Sequence, residues 1–212
     1  MNKISIIIGD LVESREAVDR DSLQSRLQVG LEKVNRRYGY RSIAPAEIVR
    51  GDEFEAGFED PSFCYRAFGL LERELFPARI RAGIGVGSVS TSLKESISLM
   101  DGSAFHRARS AIENAEKEDS DLMIESSLEE LDRLVNTIFS LMSIIKESWT
   151  DRQREMVNYY LANLNLTQKE IAYEFGVSQP AVAKTLGRAK AKQIERTNEV
   201  LVSQLEEYGV KK

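Results

Sequence analysis

The chain has 212 residues, of which 42% are hydrophobic and 30% are charged, and its formal net charge at pH 7 is −5. This composition is typical of an ordinary globular protein, and the single cysteine, Cys64, excludes an internal disulfide and is expected to be a core residue. There is no run of about 18 apolar residues and no secretory signal pattern. We therefore expect a cytoplasmic protein with no membrane partner, built as one large domain or two modest ones.

Charge is distributed unevenly along the chain. From Trp149 onward there are ten Lys or Arg residues and eight Asp or Glu residues, so the acidic excess belongs to residues 1–148. The basic excess of the C-terminal segment is small compared with that of strongly basic nucleic-acid-binding proteins. Local sequence pattern, rather than charge, must therefore indicate whether this segment binds DNA.

Hydrophobic periodicity predicts alternating strands and helices in the first part of the chain. In chain order these are a strand at 4–8, a helix over about 23–38, strands at 42–49 and 53–58, a helix at 62–76, a strand at 79–86, a helix at 103–118 and a strand at 122–124. The βαββαβ order is that of a ferredoxin-like palm domain, with both helices on one face of the sheet. We assign residues 1–125 to this α/β (α+β) domain.

Two aspartates are expected to meet at one edge of the predicted sheet. Asp10 follows the first strand, and Asp52 lies in the turn between the two hairpin strands. The βαββαβ order places the end of the first strand beside the hairpin. Carboxylate oxygens suit Mg²⁺ that carries nucleotide phosphates, so the pair predicts a site for phosphoryl transfer. The alternative is that Asp10 is a helix cap and Asp52 a turn residue, with no metal.

Glycine alternates along the strand at 79–86 and just beyond it, at Gly83, Gly85 and Gly87. Alternate glycines in a strand indicate close approach of another backbone or of another subunit, and tight packing explains them at least as well.

A helix over residues 126–148 is predicted to link two domains. Ser126 and Glu129 form a capping-box pattern. Apolar residues then recur at spacings of three and four: Leu128, Leu131, Val135, Ile138, Met142 and Ile145. Such a seam favours a partner helix and hence a homodimer, although packing within the monomer explains a run of this length as well.

Residues 149–212 are predicted to form an all-α domain. Thr150 with Gln153 and Thr167 with Glu170 match two further capping boxes. From Thr167 onward the sequence resembles a helix-turn-helix, because its residue types fit the positions of that motif. These are Ala172 at the helix contact, Gly176 in the turn, Ser178 as the cap of the second helix, Pro180 in its first turn and Val182 on the core side.

Over residues 150–191 this pattern resembles the promoter-binding region of sigma factors. The resemblance implies that the second helix enters the major groove of DNA and that lysines after it contact phosphates. The residues implied are Gln179, Ala181, Lys184, Thr185, Arg188, Lys190 and Lys192. A single copy binds DNA weakly, so this interpretation favours a dimer, and the alternative is a motif that contacts protein.

Three segments of the first domain resemble class III nucleotidyl cyclases. Residues 7–15, 49–54 and 81–87 are similar, in order, to the two metal motifs and the following strand of that family. Residues 50–54 also resemble the signature of diguanylate cyclases. The chain as a whole, a palm-like domain followed by a helix-turn-helix, resembles the SatD family of bacterial proteins.

The cyclase resemblance implies a set of ligands for Mg²⁺ or Mn²⁺ and a bound purine nucleotide. Asp10 and Asp52 match the metal-binding aspartates, and the Leu11 carbonyl with the backbone after it matches the phosphate-side contacts. Glu53 matches the acidic residue of the diguanylate cyclase motif, which adds a third oxygen ligand or faces solvent. Ile48 stands where a purine-selecting lysine is found in mammalian-type adenylyl cyclases, so the base stays open.

The helix predicted at 103–118 departs from the cyclase pattern. His106 stands at the position of the cyclase asparagine, and Ser110 at that of the transition-state arginine. A fixed cation stabilises developing phosphate charge, so Arg107 or Arg109 would have to supply it from a shifted position. His106 is also a candidate general base or phosphate contact, because imidazole exchanges protons near neutral pH.

Two functions follow from these patterns. The first is a bacterial DNA-binding transcriptional regulator, whose palm domain binds a nucleotide and a metal and thereby changes how a dimer presents its helix-turn-helix units. The alternative is a nucleotidyl cyclase or related nucleotide-processing enzyme that uses Asp10 and Asp52 in a homodimeric site, with the glycine-rich strand and the helix at 103–118 facing a second copy. A protein-binding adaptor explains neither set of motifs.

Overall fold

The computed structural model describes residues 3–12, 20–90 and 96–210 of the chain. Contacts divide the chain into two compact units, one made of Met1–Ser140 with Val202–Lys212 and the other of Leu141–Leu201. The domain boundaries expected after residues 125 and 148 stay predictions. No helix in the described ranges is both long enough and apolar enough to cross a membrane.

A five-stranded sheet with the strand order β2-β3-β1-β4-β5 forms the centre of the first unit. The elements of this unit are β1 (Ile4–Leu11), α1 (Arg20–Tyr38), β2 (Ser42–Arg50), β3 (Glu53–Phe58), α2 (Pro61–Leu75), β4 (Ile80–Gly87), α3 (Ser103–Lys117), β5 (Leu122–Glu125) and the first part of α4 (Glu129–Glu147). The pairings are antiparallel except for that of β4 with β5. The mixed α/β class and the predicted order of elements are confirmed.

Strand β1 lies in the centre of the sheet, between β3 and β4. Gly9 lies opposite Phe54 of β3 on one side and opposite Ala82 of β4 on the other. Because β1 and β3 run antiparallel, the last residues of β1 lie beside the start of β3. The predicted meeting of the first strand with the hairpin turn is therefore confirmed.

Different helices cover the two faces of the sheet. Ile6 and Ile8 of β1 belong to one apolar cluster with Ala104 and Ala108 of α3. Ile7 points to the other face, since strand side chains alternate, and it is fully buried there. Helix α2 contacts β1, β3 and β4 and packs against α1. The sheet is thus buried on both faces.

The glycine-rich strand is covered by α3 of the same chain. An ideal Cβ at Gly83 would lie 2.3 Å from the Ala108 carbonyl oxygen, and one at Gly87 would lie 2.6 Å from the Ala104 nitrogen. The predicted close approach of another backbone is confirmed. Helix α3 of the same chain accounts for the glycines, and the expectation that this strand and α3 face a second copy stays a prediction.

The start of α4 differs from the predicted capping box. The Ser126 hydroxyl accepts from the Leu128 amide at 2.9 Å and donates to Asp132 Oδ1 at 2.7 Å. Tyr208, near the end of the chain, also donates to Asp132 Oδ1 at 3.3 Å. Glu129 is exposed, so a buried aspartate takes the role that was expected of the glutamate.

Burial along α4 separates its apolar residues into two sets. Val135 and Met142 of the predicted seam are buried, whereas Leu134, Leu141 and Ile144 are more than half exposed. The homodimer stays a prediction.

The second unit is helical. It contains the end of α4, α5 (Asp151–Ala162), α6 (Gln168–Glu174), α7 (Gln179–Arg188) and the start of α8 (Ala191–Val210). Both predicted capping boxes form, at Thr150 and at Thr167, and Gly176 between α6 and α7 has a φ of 62°. Val182 is fully buried, and Ser178 caps α7. These local predictions are confirmed, while the assignment of α6 and α7 as a DNA-binding motif stays a prediction.

Candidate functional site

Two sequence motifs contact each other at the end of β1. Gly9 precedes Asp10, and an ideal Cβ at Gly9 would lie 2.4 Å from Cζ of the Phe54 ring. Glycine is therefore the residue that allows Phe54, fully buried, to pack across β1. This contact fixes Asp10 beside the start of β3.

A two-residue turn of Gly51 and Asp52 joins β2 to β3. Arg50, the last residue of β2, is paired with Glu53, the first residue of β3. Gly51 has a φ of 62°, a conformation that residues with a Cβ rarely adopt, and hairpin turns of this length favour glycine for that reason. The Gln24 side-chain amide of α1 donates to the Gly51 carbonyl at 3.0 Å. The turn that carries Asp52 is thus held from α1.

The Asp10 side chain is half-buried, and one of its two carboxylate oxygens lacks a hydrogen bond within the described ranges. Its Oδ1 atom is inaccessible to solvent and has no hydrogen-bond partner among the described residues. Burial raises the pKa of Asp10 above its ordinary value of 3.8, the Arg81 guanidinium opposes this, and the Asp52 charge adds to it. Buried acceptors are normally satisfied, so an oxygen of this kind beside a second carboxylate fits a bound cation.

The structure describes only part of the backbone that was predicted to contact the phosphates. Leu11 is the last residue of β1, and the Val12 amide donates to the Arg79 carbonyl at 2.9 Å. The remaining phosphate-side backbone, residues 13–19, lies outside the described residues. In the ranges that the structure describes, no group of three or more His, Cys, Asp or Glu side chains is arranged to hold a metal ion.

Glu53, the predicted third ligand, forms an ion pair with Arg109 of α3. Arg109 Nη1 lies 2.9 Å from Glu53 Oε2, and Nη2 lies 3.0 Å from Oε1. This two-pronged geometry is that of the stronger arginine–carboxylate pairs. The ion pair raises the pKa of Arg109, chiefly through the hydrogen bond to Glu53.

Glu55 is a site residue that sequence reasoning missed. It is 6% exposed and lies 3.4 Å from Arg109 Nη2. Burial raises the pKa of Glu55, and the nearby Arg109 only partly opposes this. The signal was the alternation of acidic and apolar residues over 53–56, which puts Glu53 and Glu55 on one face of β3.

A pocket of ≈ 260 Å³ opens beside Glu55. It is lined by Ile8, Val49, Glu55, Ser98, Met100, Asp101, Phe105, His106 and Arg109. Ile8 and Glu55 are cross-strand partners, so the pocket lies on the α3 face of the sheet. Apolar walls with a few charged groups are typical of small-molecule sites.

The three predicted catalytic residues of α3 lie in different surroundings. Arg109 and His106 line the pocket, and His106 is well exposed, with Nε2 at 3.5 Å from Asp101 Oδ1. Arg107 instead donates to the Val86 carbonyl at 2.5 Å. The structure therefore brings Arg109 close to the two acidic residues of β3 and leaves His106 at the rim of the pocket. Arg107 is instead hydrogen-bonded to the end of β4.

The predicted DNA-binding residues lie on the surface of the second unit. Lys184, Arg188, Lys190 and Lys192 are exposed, and none of these four forms an ion pair within the described part of the chain. Ala181 and Thr185 are half-buried. Gln179 is exposed and donates to Gln168 Oε1 at 2.8 Å.

The chain matches one protein family, and part of it is similar to solved cyclase structures. A model of the SatD family matches residues 4–204, and no curated protein sequence matches the chain. A bacterial light-regulated adenylyl cyclase is 16% identical over 58% of this chain and 75% of its own, with a TM-score of 0.46. The active GGEEF domain of a diguanylate cyclase from Vibrio cholerae is 12% identical over 59% and 83%, with a TM-score of 0.42.

Proposed function

This chain belongs to the SatD family, and we propose that it binds a purine nucleoside triphosphate with Mg²⁺ or Mn²⁺ and transfers a phosphoryl or nucleotidyl group. The observation that supports this most directly is the buried, unpartnered Oδ1 of Asp10 beside the Asp52 turn. The pocket on the same face of the sheet offers room for the base or sugar. A cyclase-like palm is the fold class that this proposal assumes.

Asp10, Asp52 and Arg109 each have a distinct role in this proposal. Asp10 and Asp52 hold the cation, which, when bound, polarises a phosphoryl oxygen and neutralises charge on the phosphates. The sheet pairing holds the backbone at Asp10, and the Gln24 contact holds the turn that carries Asp52, so both residues are positioned before the ligand arrives. Arg109, which lies 2.9 Å from Glu53, offers a guanidinium for phosphate charge, since Ser110 carries none.

The test is incubation of the full chain with each nucleoside triphosphate and Mg²⁺ or Mn²⁺, followed by mass spectrometry of the products. We expect a cyclic or hydrolysed product from a purine nucleotide, and a loss of about 10²-fold or more in rate for Asp52→Asn. Asp151→Asn, an exposed position in the second unit, serves as the matched control. Absence of metal-dependent nucleotide binding and of any product would refute the proposal.

DNA binding by a dimer is the second candidate function, in which nucleotide occupancy would regulate transcription. It is favoured by the four exposed cations around α7 that make no ion pair with another described residue. Unpaired surface cations are available to release counterions from DNA phosphates. Cyclase-like chemistry and DNA binding are compatible, because they use different units.

We expect the Lys184→Ala/Arg188→Ala double variant to weaken DNA binding and to reduce the slope of log affinity against log salt by about 2. Fluorescence anisotropy on a random duplex at several salt concentrations measures both. Arg36→Ala/Arg37→Ala removes the same charge from exposed positions of α1 and should leave the slope unchanged. Equal slopes for the two double variants would reject a DNA-contacting α7.

A further inference from the structure

Glu55 is a buried carboxylate in the wall of the pocket. Its side chain is 8% exposed, and Arg109 Nη2 donates to its Oε1 at 3.4 Å. The other oxygen, Oε2, makes no hydrogen bond to any residue that the structure describes. A carboxylate has about four lone-pair sites, so most of the accepting capacity of Glu55 is left for a ligand in the pocket.

The rest of the pocket is suited to a single aromatic ring. Ile8, Met100 and Phe105 give it buried apolar walls, which favour the faces of such a ring. Its volume is ≈ 260 Å³. Pockets for complete drug-sized ligands begin at about 300 Å³, so this one fits a heterocyclic base better than a whole nucleotide.

The pocket lies beside Asp10 on the same face of the sheet. Ile8, the cross-strand partner of Glu55, precedes Asp10 by two residues. Their side chains therefore point to one face, about 7 Å apart along the strand. One sugar can bridge a distance of this order, so a nucleotide with its phosphates at Asp10 can place its base against Glu55.

We propose that the pocket binds guanine and that Glu55 selects it, so that the substrate is a guanine nucleotide. This inference rests on the proposed function only for the position of the phosphates. Guanine presents two adjacent N–H donors, at N1 and N2, which match the two oxygens of a carboxylate. Adenine presents one donor, at N6, beside the acceptor N1. That acceptor would face a carboxylate oxygen, and a buried site rejects such a mismatch strongly.

The protonation state of Glu55 decides which base it matches. A protonated carboxyl group is both donor and acceptor, and it would pair with adenine instead. Burial raises the pKa of Glu55, Glu53 and Glu47 add to this effect, and the Arg109 guanidinium opposes it. The two donors of guanine form hydrogen bonds with the ionised carboxylate, so guanine binding itself favours the ionised form.

The test is isothermal titration of the full-length chain with GTP, ITP and ATP in the presence of MgCl₂. Inosine keeps the N1–H donor and lacks the N2 amino group, so ITP isolates one of the two hydrogen bonds. We expect GTP to bind about tenfold more tightly than ITP and about 10²-fold more tightly than ATP. The reason is that a hydrogen bond to a charged group contributes a factor of about ten or more in affinity.

Glu55→Gln keeps the shape of the side chain but replaces one acceptor with a donor. The ratio of GTP affinity to ATP affinity should fall about tenfold or more in this variant. Glu59→Gln is the matched control, because it makes the same exchange at an exposed carboxylate that lies 2.8 Å from Arg41. This control should keep the wild-type ratio.

Two results would overturn the inference while leaving nucleotide binding, and hence the proposed function, in place. One is equal affinity of the wild type for GTP and ATP, or tighter binding of ATP, which tests the inference whether or not the variant folds. The other is an unchanged preference for GTP in Glu55→Gln, with folding confirmed by circular dichroism. Absence of binding of all three nucleotides would reject both the inference and the proposed function.

Discussion

Replacement of Gly85 by alanine is expected to destabilise the first unit by about 3 kcal/mol or more, as measured by urea unfolding. The new Cβ would lie 2.0 Å from the Ala104 carbonyl oxygen and 2.2 Å from the Ala108 nitrogen. Both atoms belong to the backbone of α3, so no side-chain rotation relieves the overlap. Helix α3 must move away from β4 and so open the apolar cluster that it shares with β1.

Gly187→Ala provides the matched control for this prediction. Gly187 lies within α7, and an added Cβ there has no neighbour within 4 Å among the described residues. Alanine in a helix restricts the unfolded chain, so this variant should be neutral or more stable by up to about 1 kcal/mol. A Gly85→Ala protein within about 1 kcal/mol of the wild type would contradict the close packing of α3 on β4.

Local sequence patterns predicted the elements that carry the candidate site. The hairpin expected at 42–49 and 53–58 is found at Ser42–Arg50 and Glu53–Phe58, because strand alternation and a glycine-containing turn are encoded within a few residues. The neighbouring positions of Asp10 and Asp52 followed from the order of elements, since the βαββαβ order leaves few ways to pair strands.

Long-range side-chain pairing could not be predicted in the same way. Arg109 and Glu53 are 56 residues apart, and their contact depends on where α3 crosses the sheet. That crossing is set by the glycines of β4, for which the sequence also allowed a second subunit as the explanation. Ser126 illustrates the same limit, because the burial of Asp132 rather than the capping pattern decides its partner.

Replacement of Asp10 by asparagine is expected to raise the thermal stability of the metal-free protein at pH 7 while abolishing stabilisation by metal. Burial raises the pKa of Asp10, so the folded state disfavours the ionised carboxylate more than the unfolded state does. Asparagine has nearly the same shape and no charge. We expect an unfolding midpoint on the order of 2–4 °C higher, with no further rise on addition of Mn²⁺.

The pH dependence of this difference distinguishes a charge effect from a change in packing. A carboxyl group whose folded-state pKa is raised contributes stability that is fully present below its ordinary value, 3.8 for Asp10, and that is lost as pH rises through the raised value. The unfolding midpoint of Asp10→Asn should therefore exceed that of the wild type most at pH 7, and this difference should shrink as the pH falls towards 3.8. Differential scanning fluorimetry across this range, with Asp151→Asn as the exposed control, measures it. If the difference in unfolding midpoint does not depend on pH, it results from a change in packing around residue 10 and not from the charge of Asp10.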